Sequence, residues 1–119
     1  MQAHRRALVA ASAYSVITGQ KVAGLYDFAA GEHLRVAAEC RGKQVQGADG
    51  DRSSAFGGNL PDIYDAADKA FVSLEVEGDK ARGYDHGSAG HYEARVTDRL
   101  IQLYDHVQQA WFSFEPQIA

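Results

Sequence analysis

Histidines and aspartates are the residues of this chain whose types could hold a metal ion. His86 follows Asp85, and His106 follows Asp105. A shared zinc ion needs its ligand atoms within about 3–4 Å of one another. Equivalent positions in successive β-hairpins lie ~10 Å apart, because each hairpin adds two strands at ~4.8 Å. We therefore expect loop histidines in water, with no metal and no other cofactor.

The segment Asp49 to Ser53 resembles the start of an EF-hand calcium loop. That loop needs glycine at its sixth position and glutamate at its twelfth. Here the sixth residue is Ser54 and the twelfth is Leu60. The segment is interpreted as a turn.

The sequence offers few serine or cysteine residues that could act as catalytic nucleophiles. No serine stands in a Gly-x-Ser-x-Gly elbow. Ser88 shares one tight loop with His86 and Asp85, where the geometry of a triad is sterically unfavourable. Cys40 falls in the inward phase of a predicted strand, and we expect it to behave as a small buried hydrophobic residue.

Tyr84, His91 and Glu93 form the remaining acid–base set, and the alternation of the strand places them on the outer face of the predicted sheet. The pattern disfavours catalysis here. We expect a protein that is not an enzyme and has no catalytic residues.

Composition limits the other classes of function. The 119 residues predict one domain, and the net charge of −4 shows no basic cluster beyond His4-Arg5-Arg6. Contact with nucleic acid or with a membrane surface is therefore disfavoured, and no run approaches the ~20 apolar residues of a membrane span. A single cysteine excludes an intramolecular disulfide and fits a reducing cytoplasm.

A repeat organises the chain and explains where the aspartates stand. Tyr-Asp occurs at 26/27, 64/65, 84/85 and 104/105, with a degenerate Ala48-Asp49. Seven residues after each aspartate comes an apolar residue. These residues are Leu34, Phe56, Val72, Tyr92 and Phe112. Each copy predicts a β-hairpin whose loop begins at the aspartate, where the carboxylate accepts backbone N–H groups.

Five hairpins predict an all-β fold, an up-and-down antiparallel meander of about ten strands within 21–115, preceded by one short helix within 1–18. One apolar face on so many strands favours a closed or nearly closed barrel. Small inward residues predict a narrow interior filled by side chains, too narrow for a ligand. The strands are expected near 21–27, 32–40, 43–49, 53–57, 62–65, 69–77, 80–85, 91–96, 99–105 and 110–115.

Strand register provides an internal test, because a one-residue slip would move every apolar side chain to the other face. Across the aspartate loops we predict the pairs Leu25–Leu34, Gly47–Phe56, Ile63–Val72, Gly83–Tyr92 and Leu103–Phe112. Across the other turns we predict Ala38–Val45, Val36–Gly47, Phe56–Ile63, Val76–Ala81, Leu74–Gly83 and Ala94–Ile101. The outer face should carry the cross-strand ion pairs Glu75–Arg82 and Glu77–Lys80.

Aromatic residues on the outer face are the candidate binding surface. The same register pairs Tyr26 with His33, Tyr64 with Phe71, Tyr84 with His91 and Tyr104 with Trp111. It also places His91 beside Tyr104, which predicts one row through Tyr84, His91, Tyr104 and Trp111.

Three interpretations of this surface stay open, because a large aromatic patch is rarely bare. The N-terminal helix could lie over it through Tyr14 and Ile17, on an apolar stripe that includes Ala3, Ala7 and Ala10. A second copy or another protein could cover it. A sugar or another ligand with flat apolar faces could stack on it.

The function that we expect is a binding or assembly module contacting a protein partner, most simply a second copy of the chain. A barrel that binds a sugar or an apolar metabolite is one alternative, and an enzyme of unknown reaction is another. Bacterial YD-repeat proteins share the Tyr-Asp dipeptide and its period, but they place Gly-Arg-Leu closer behind it. The dipeptide alone identifies no family.

Overall fold

The protein is one helix enclosed by an antiparallel β-sheet. The structure, a computed structural model, describes residues 1–119. The helix is α1 (Ala3–Thr18), and the strands are β1 (Val22–Asp27), β2 (Glu32–Leu34), β3 (Val36–Arg41), β4 (Gln44–Asp49), β5 (Ser54–Asn59), β6 (Asp62–Asp65), β7 (Ala70–Ser73), β8 (Glu75–Glu77), β9 (Lys80–Asp85), β10 (Gly90–Thr97), β11 (Leu100–Asp105) and β12 (Ala110–Ile118).

The sheet closes into a barrel, which confirms the predicted meander. Strands adjacent in the chain pair with each other, and β12 returns to pair antiparallel with β1. Two of the ten expected strands are each interrupted at one residue, at Arg35 between β2 and β3 and at Leu74 between β7 and β8. The closed barrel thus has ten strands with two short extra segments.

The predicted register across the aspartate loops is confirmed. All five expected pairs are present, from Leu25 opposite Leu34 to Leu103 opposite Phe112. The inward phase follows, since Leu74, Tyr92 and Leu103 are at most 1% exposed. The hydroxyl of Tyr92 donates to the carbonyl oxygen of Ser73 at 2.6 Å.

Three of the other turns were placed wrongly by two residues. Ala38 lies opposite Gly47, not Val45. Likewise, Val36 lies opposite Asp49, Phe56 opposite Asp65 and Ala94 opposite Leu103. Each of these turns has two central residues, and Gly42 and Asp98 open theirs with φ values of 61° and 53°, as tight hairpin turns require. The turn at Gly78, with φ of 63°, was placed correctly, since Val76 lies opposite Ala81 as predicted. A two-residue slip preserves the face, so burial alternation could not detect it.

The aspartate loops share one backbone conformation. The residue four after each aspartate has a positive φ, although only the first of the five is glycine. These residues are Gly31, Ser53, Lys69, Ala89 and Gln109, with φ from 50° to 68°. The repeat in sequence is therefore also a repeat in structure.

Helix α1 lies inside the barrel, which excludes one of the three interpretations of the aromatic surface, the one in which the helix covers it. Its residues from Ala7 to Ser15 are at most 2% exposed and reach neighbours on several strands around the wall. Apart from its first turn the helix carries no charged residue, and a helix that is apolar or small all round belongs in an interior. This one helix falls short of the length and hydropathy that a membrane-spanning helix needs.

Small residues on the wall make room for the helix. Ala38, Ala81 and Ala94 are buried and face inward. At Gly47 a Cβ would overlap the ring of Phe56, so glycine lets that ring lie flat against the wall. The prediction of a narrow interior filled only by strand side chains was wrong, because the lumen is wide enough for a helix.

Two residues assigned to the apolar face lie at its margins. Val76 is 36% exposed. Cys40 is half-buried, its Sγ lies 3.3 Å from the carbonyl oxygen of Gly42, and partial burial raises the pKa of its thiol.

Candidate functional site

Five aspartates form a buried ring at one end of the barrel, which we call the aspartate ring. Its members are Asp27, Asp49, Asp65, Asp85 and Asp105, each at most 7% exposed. Each accepts backbone N–H groups of its own loop, as at Asp105, where Oδ1 accepts from Val107 at 3.0 Å and Gln108 at 3.2 Å. The predicted structural role of these aspartates is confirmed.

Cationic side chains of the helix N-terminal turn and of the loop between β4 and β5 pair with members of the ring. Arg5 is 2% exposed; its Nη1 donates to Asp85 at 2.8 Å and its Nη2 to Asp68 at 2.7 Å. Its Nε faces Asp65 at 3.3 Å, outside hydrogen-bond geometry. Arg52 reaches Asp65 and Asp68 at 3.3 and 3.0 Å. The helix thus enters the barrel with its positive end toward the carboxylates.

Two further cationic groups lie against Asp105. Arg6 Nη1 is 3.7 Å from Asp105 Oδ2, and its guanidinium stacks on Phe112, with 3.7 Å from Cζ to the ring centroid. The amino group of Met1 donates to the same carboxylate at 2.8 Å. Burial by itself raises the pKa of Asp105, but this ammonium and the loop N–H groups together lower it.

One cluster has the composition of a metal site. His4, Asp65 and Asp68 offer ligand atoms within 4.8 Å of one another. However, the guanidinium groups of Arg5 and Arg52 already bind these carboxylates, so a metal ion would be repelled by two positive charges. The arrangement favours a neutralised network over a metal centre.

Lowering the pH should weaken this network by protonating the carboxylate of Asp68. Its pKa is lowered to about 2, first by the hydrogen bond with His4 and then by that from Arg5. Because this pKa is lower in the folded than in the unfolded protein, ionised Asp68 stabilises the fold fully at pH values above the unfolded-state pKa, ~3.9. The stabilisation is lost as the pH falls through the folded-state pKa of about 2. We expect Asp68→Asn to lower the free energy of unfolding by about 1 kcal/mol at pH 6, and the difference from the parent to fade between pH ~4 and ~2.

Denaturant unfolding across that pH range measures the effect. Asp62→Asn is the matched control, because Asp62 is exposed and makes no ion pair. A difference for Asp68→Asn that stays constant with pH would contradict the assignment.

Aromatic side chains occupy three outward positions of the hairpins: the residue before the aspartate, the one after it, and the one six after it. We call this set the aromatic belt. Its members are Tyr26, Phe28, His33, Tyr64, Phe71, Tyr84, His86, His91, Tyr104, His106 and Trp111. Within each hairpin the rings pack with centroids 4.9–5.1 Å apart, as in Tyr104–Trp111 at 5.1 Å.

Backbone hydrogen bonds place the ring clusters side by side. The N–H of His86 donates to Phe71 at 3.0 Å, and that of His106 donates to His91 at 3.1 Å. Phe28 extends the belt across the closure of the barrel by donating to Ser113 at 3.1 Å. The belt therefore runs from β6 and β7 through β9 to β12 and on to β1 and β2.

The straight row predicted from sequence is not present. Glu93, not His91, lies opposite Tyr104, because the turn at Asp98 starts one residue later than expected. The four predicted pairs themselves are present, from Tyr26–His33 to Tyr104–Trp111. Neighbouring pairs are stepped along the barrel and joined through His86 and His106.

The belt is open to solvent at several rings. Trp111 is 60% exposed, Phe28 50%, Phe71 48% and Tyr64 37%. One hairpin interrupts it, because β4, β5 and the loop between them carry Ala48, Gly50 and Ala55 at the corresponding positions. The helix, enclosed by the barrel, covers none of these rings, so that interpretation of the surface was wrong.

The candidate acid–base groups do not form a catalytic set of hydrogen bonds. Tyr84 and His91 pack edge-on at 4.9 Å, and Glu93 approaches His106 at 3.8 Å. Ser88 donates to Asp85 Oδ2 at 2.8 Å and not to His86.

Sequence reasoning did not identify Phe28, His86 and His106 as members of the outer surface. The signal was present, since all three stand directly after a repeat aspartate. It also did not identify Arg5 and Arg52 as partners of the ring, because nothing local links residues that far apart in the chain.

Comparison of the chain with protein-family models, with curated proteins and with solved structures found no match. A proposal of function therefore rests on the geometry of the belt and of the ring.

Proposed function

We propose that the protein is a non-enzymatic assembly module whose aromatic belt contacts a second copy of the chain. The observation that carries this proposal is the exposure of the belt when the helix is enclosed. Rings such as Trp111 and Phe71 expose apolar area to water in the free chain. An interface would bury that area, which is favourable.

The chemistry of the belt suits contact with a copy of itself. Its members carry no carboxylate, ammonium or guanidinium group, so two belts meet without repulsion between charged side chains of the same sign. Tyrosine and tryptophan are also the residues most often found at the energetic centre of interfaces. A symmetric pair is the simplest arrangement, because the same patch serves both partners.

Sedimentation of the full chain over a range of concentrations tests the proposal. We expect a dimer, and Trp111→Ala and Phe71→Ala should each raise its dissociation constant by roughly tenfold or more, the effect of removing a central aromatic side chain. Val76→Ser is the matched control, because Val76 is also partly exposed but is not a member of the belt. A wild-type chain that stays monomeric at every concentration would overturn the proposal.

A further inference from the structure

A groove of about 700 Å³ lies beside the belt, in the size range of small-molecule sites. It is formed by β8, β9, the turn between them, and β10, with Trp111 of β12. Its lining is mostly charged and includes Glu75, Glu77, Arg82 and Glu93.

Charged side chains of both signs line this groove without pairing. Glu75 is in register with Arg82, and Arg82 with Glu93, but no carboxylate of the groove lies within 4.0 Å of an arginine or lysine of the groove. The cross-strand ion pairs Glu75–Arg82 and Glu77–Lys80 predicted from sequence are therefore not formed, although their register is correct.

Because these groups do not bond to each other, the groove presents both free acceptors and free donors. Four acidic residues face three basic ones, so its net charge is close to zero. A strongly anionic or cationic ligand gains little from such a lining. A neutral ligand with many hydroxyl groups gains hydrogen bonds to both kinds of side chain, and bonds to charged groups are the stronger ones.

Trp111 adds a flat apolar wall. It is in register with Tyr104, which is in register with Glu93, so the Cα atoms of Trp111 and Glu93 lie about two strand spacings, ~10 Å, apart. The C–H face of a pyranose ring stacks on an indole in the way that other apolar faces do, while its hydroxyls reach the neighbouring strand.

We infer that this groove binds a neutral oligosaccharide, with Trp111 stacking on one sugar ring and Arg82 and Glu93 hydrogen-bonding to hydroxyls of the next. The inference is separate from the proposed self-association and shares only Trp111 with it.

The indole reports binding directly, because Trp111 is the only tryptophan of the chain. The probes are neutral tetrasaccharides of glucose in α and β linkage, of mannose, of xylose and of N-acetylglucosamine, titrated at protein concentrations where sedimentation finds monomer. We expect at least one to shift the emission of Trp111 and to protect it from acrylamide quenching. Arg82→Met and Glu93→Gln should each weaken that binding by about tenfold, whereas the exposed control Arg99→Met should not.

Two outcomes would overturn the inference. One is an emission of Trp111 that none of the tetrasaccharides changes; the other is binding that Arg82→Met and Glu93→Gln leave intact. A response to an extended peptide but to no sugar belongs to the first outcome, since the free edge of β8 could pair with a strand. The two proposals fail separately, because Phe71→Ala should alter assembly and not sugar binding, and Arg82→Met should alter sugar binding and not assembly.

Discussion

Replacing Arg5 by methionine should lower the free energy of unfolding by about 3–5 kcal/mol, the range found when one partner of a buried ion pair is removed. Arg5 bonds Asp85 and faces Asp65, whose side chains are 3% and 2% exposed. Without the guanidinium these carboxylates remain in the barrel with fewer opposite charges. The loss also affects the helix, since Arg5 links its first turn to the barrel wall. Denaturant unfolding at neutral pH measures it.

Arg99→Met is the matched control, because Arg99 is exposed and makes no ion pair; it should change the stability by less than about 0.5 kcal/mol. A double variant isolates the cause. If charge is the reason, Arg5→Met with Asp85→Asn should lose clearly less than the sum of the two single changes. Strict additivity, or a loss for Arg5→Met no larger than that of the control, would show that the pairing contributes little.

The second large effect is expected at Gly83, where alanine should cost about 3 kcal/mol, at the upper end of overpacking penalties. A Cβ on Gly83 would overlap the carbonyl oxygen of Ser73 and lie 2.7 Å from the Tyr92 hydroxyl. That carbonyl accepts the Tyr92 hydroxyl at 2.6 Å, so it cannot move without breaking a partly buried hydrogen bond. Backbone in β7, unlike the end of a flexible side chain, has little freedom to shift.

Gly24→Ala is the appropriate comparison for Gly83→Ala, since both glycines lie in strands. At Gly24 the nearest atom to a Cβ is Gln117 Oε1 at 2.7 Å, the end of an exposed side chain that can rotate away. We expect a cost below about 1 kcal/mol there. Thermal or denaturant unfolding of the two variants side by side measures the difference in stability. Equal losses of stability would mean that the close approach of the new Cβ to the backbone at Ser73 does not cause the cost at Gly83.

Much of the wall of the barrel could be predicted from residues alone. The spacing from each aspartate to the apolar residue seven positions later determines the length of a hairpin loop, and loop length determines register within a hairpin. Leu103 and Phe112 are paired as that spacing requires. Local rules are sufficient here because the interacting residues are close in the chain.

Register between hairpins was harder to predict, for a definite reason. The alternation of apolar residues has a period of two, so placing Ala38 opposite Val45 or opposite Gly47 satisfies it equally. Only the positive φ of the first turn residue, Gly42 or Asp98, distinguishes them. The same slip moved His91 away from Tyr104 and changed the arrangement of the aromatic surface.

Local patterns in the chain predict the five hairpins, the inward phase of their apolar side chains and the turns that begin at the aspartates. The enclosure of the helix, the ion pair of Arg5 with Asp85 eighty residues away and the exposure of the aromatic rings depend on the closed barrel. Helical periodicity reports which faces are apolar, but whether a sheet covers one of them or all of them depends on how the barrel closes. Closure of the barrel pairs β1 with β12, and no local sequence pattern encodes a contact between residues so far apart in the chain.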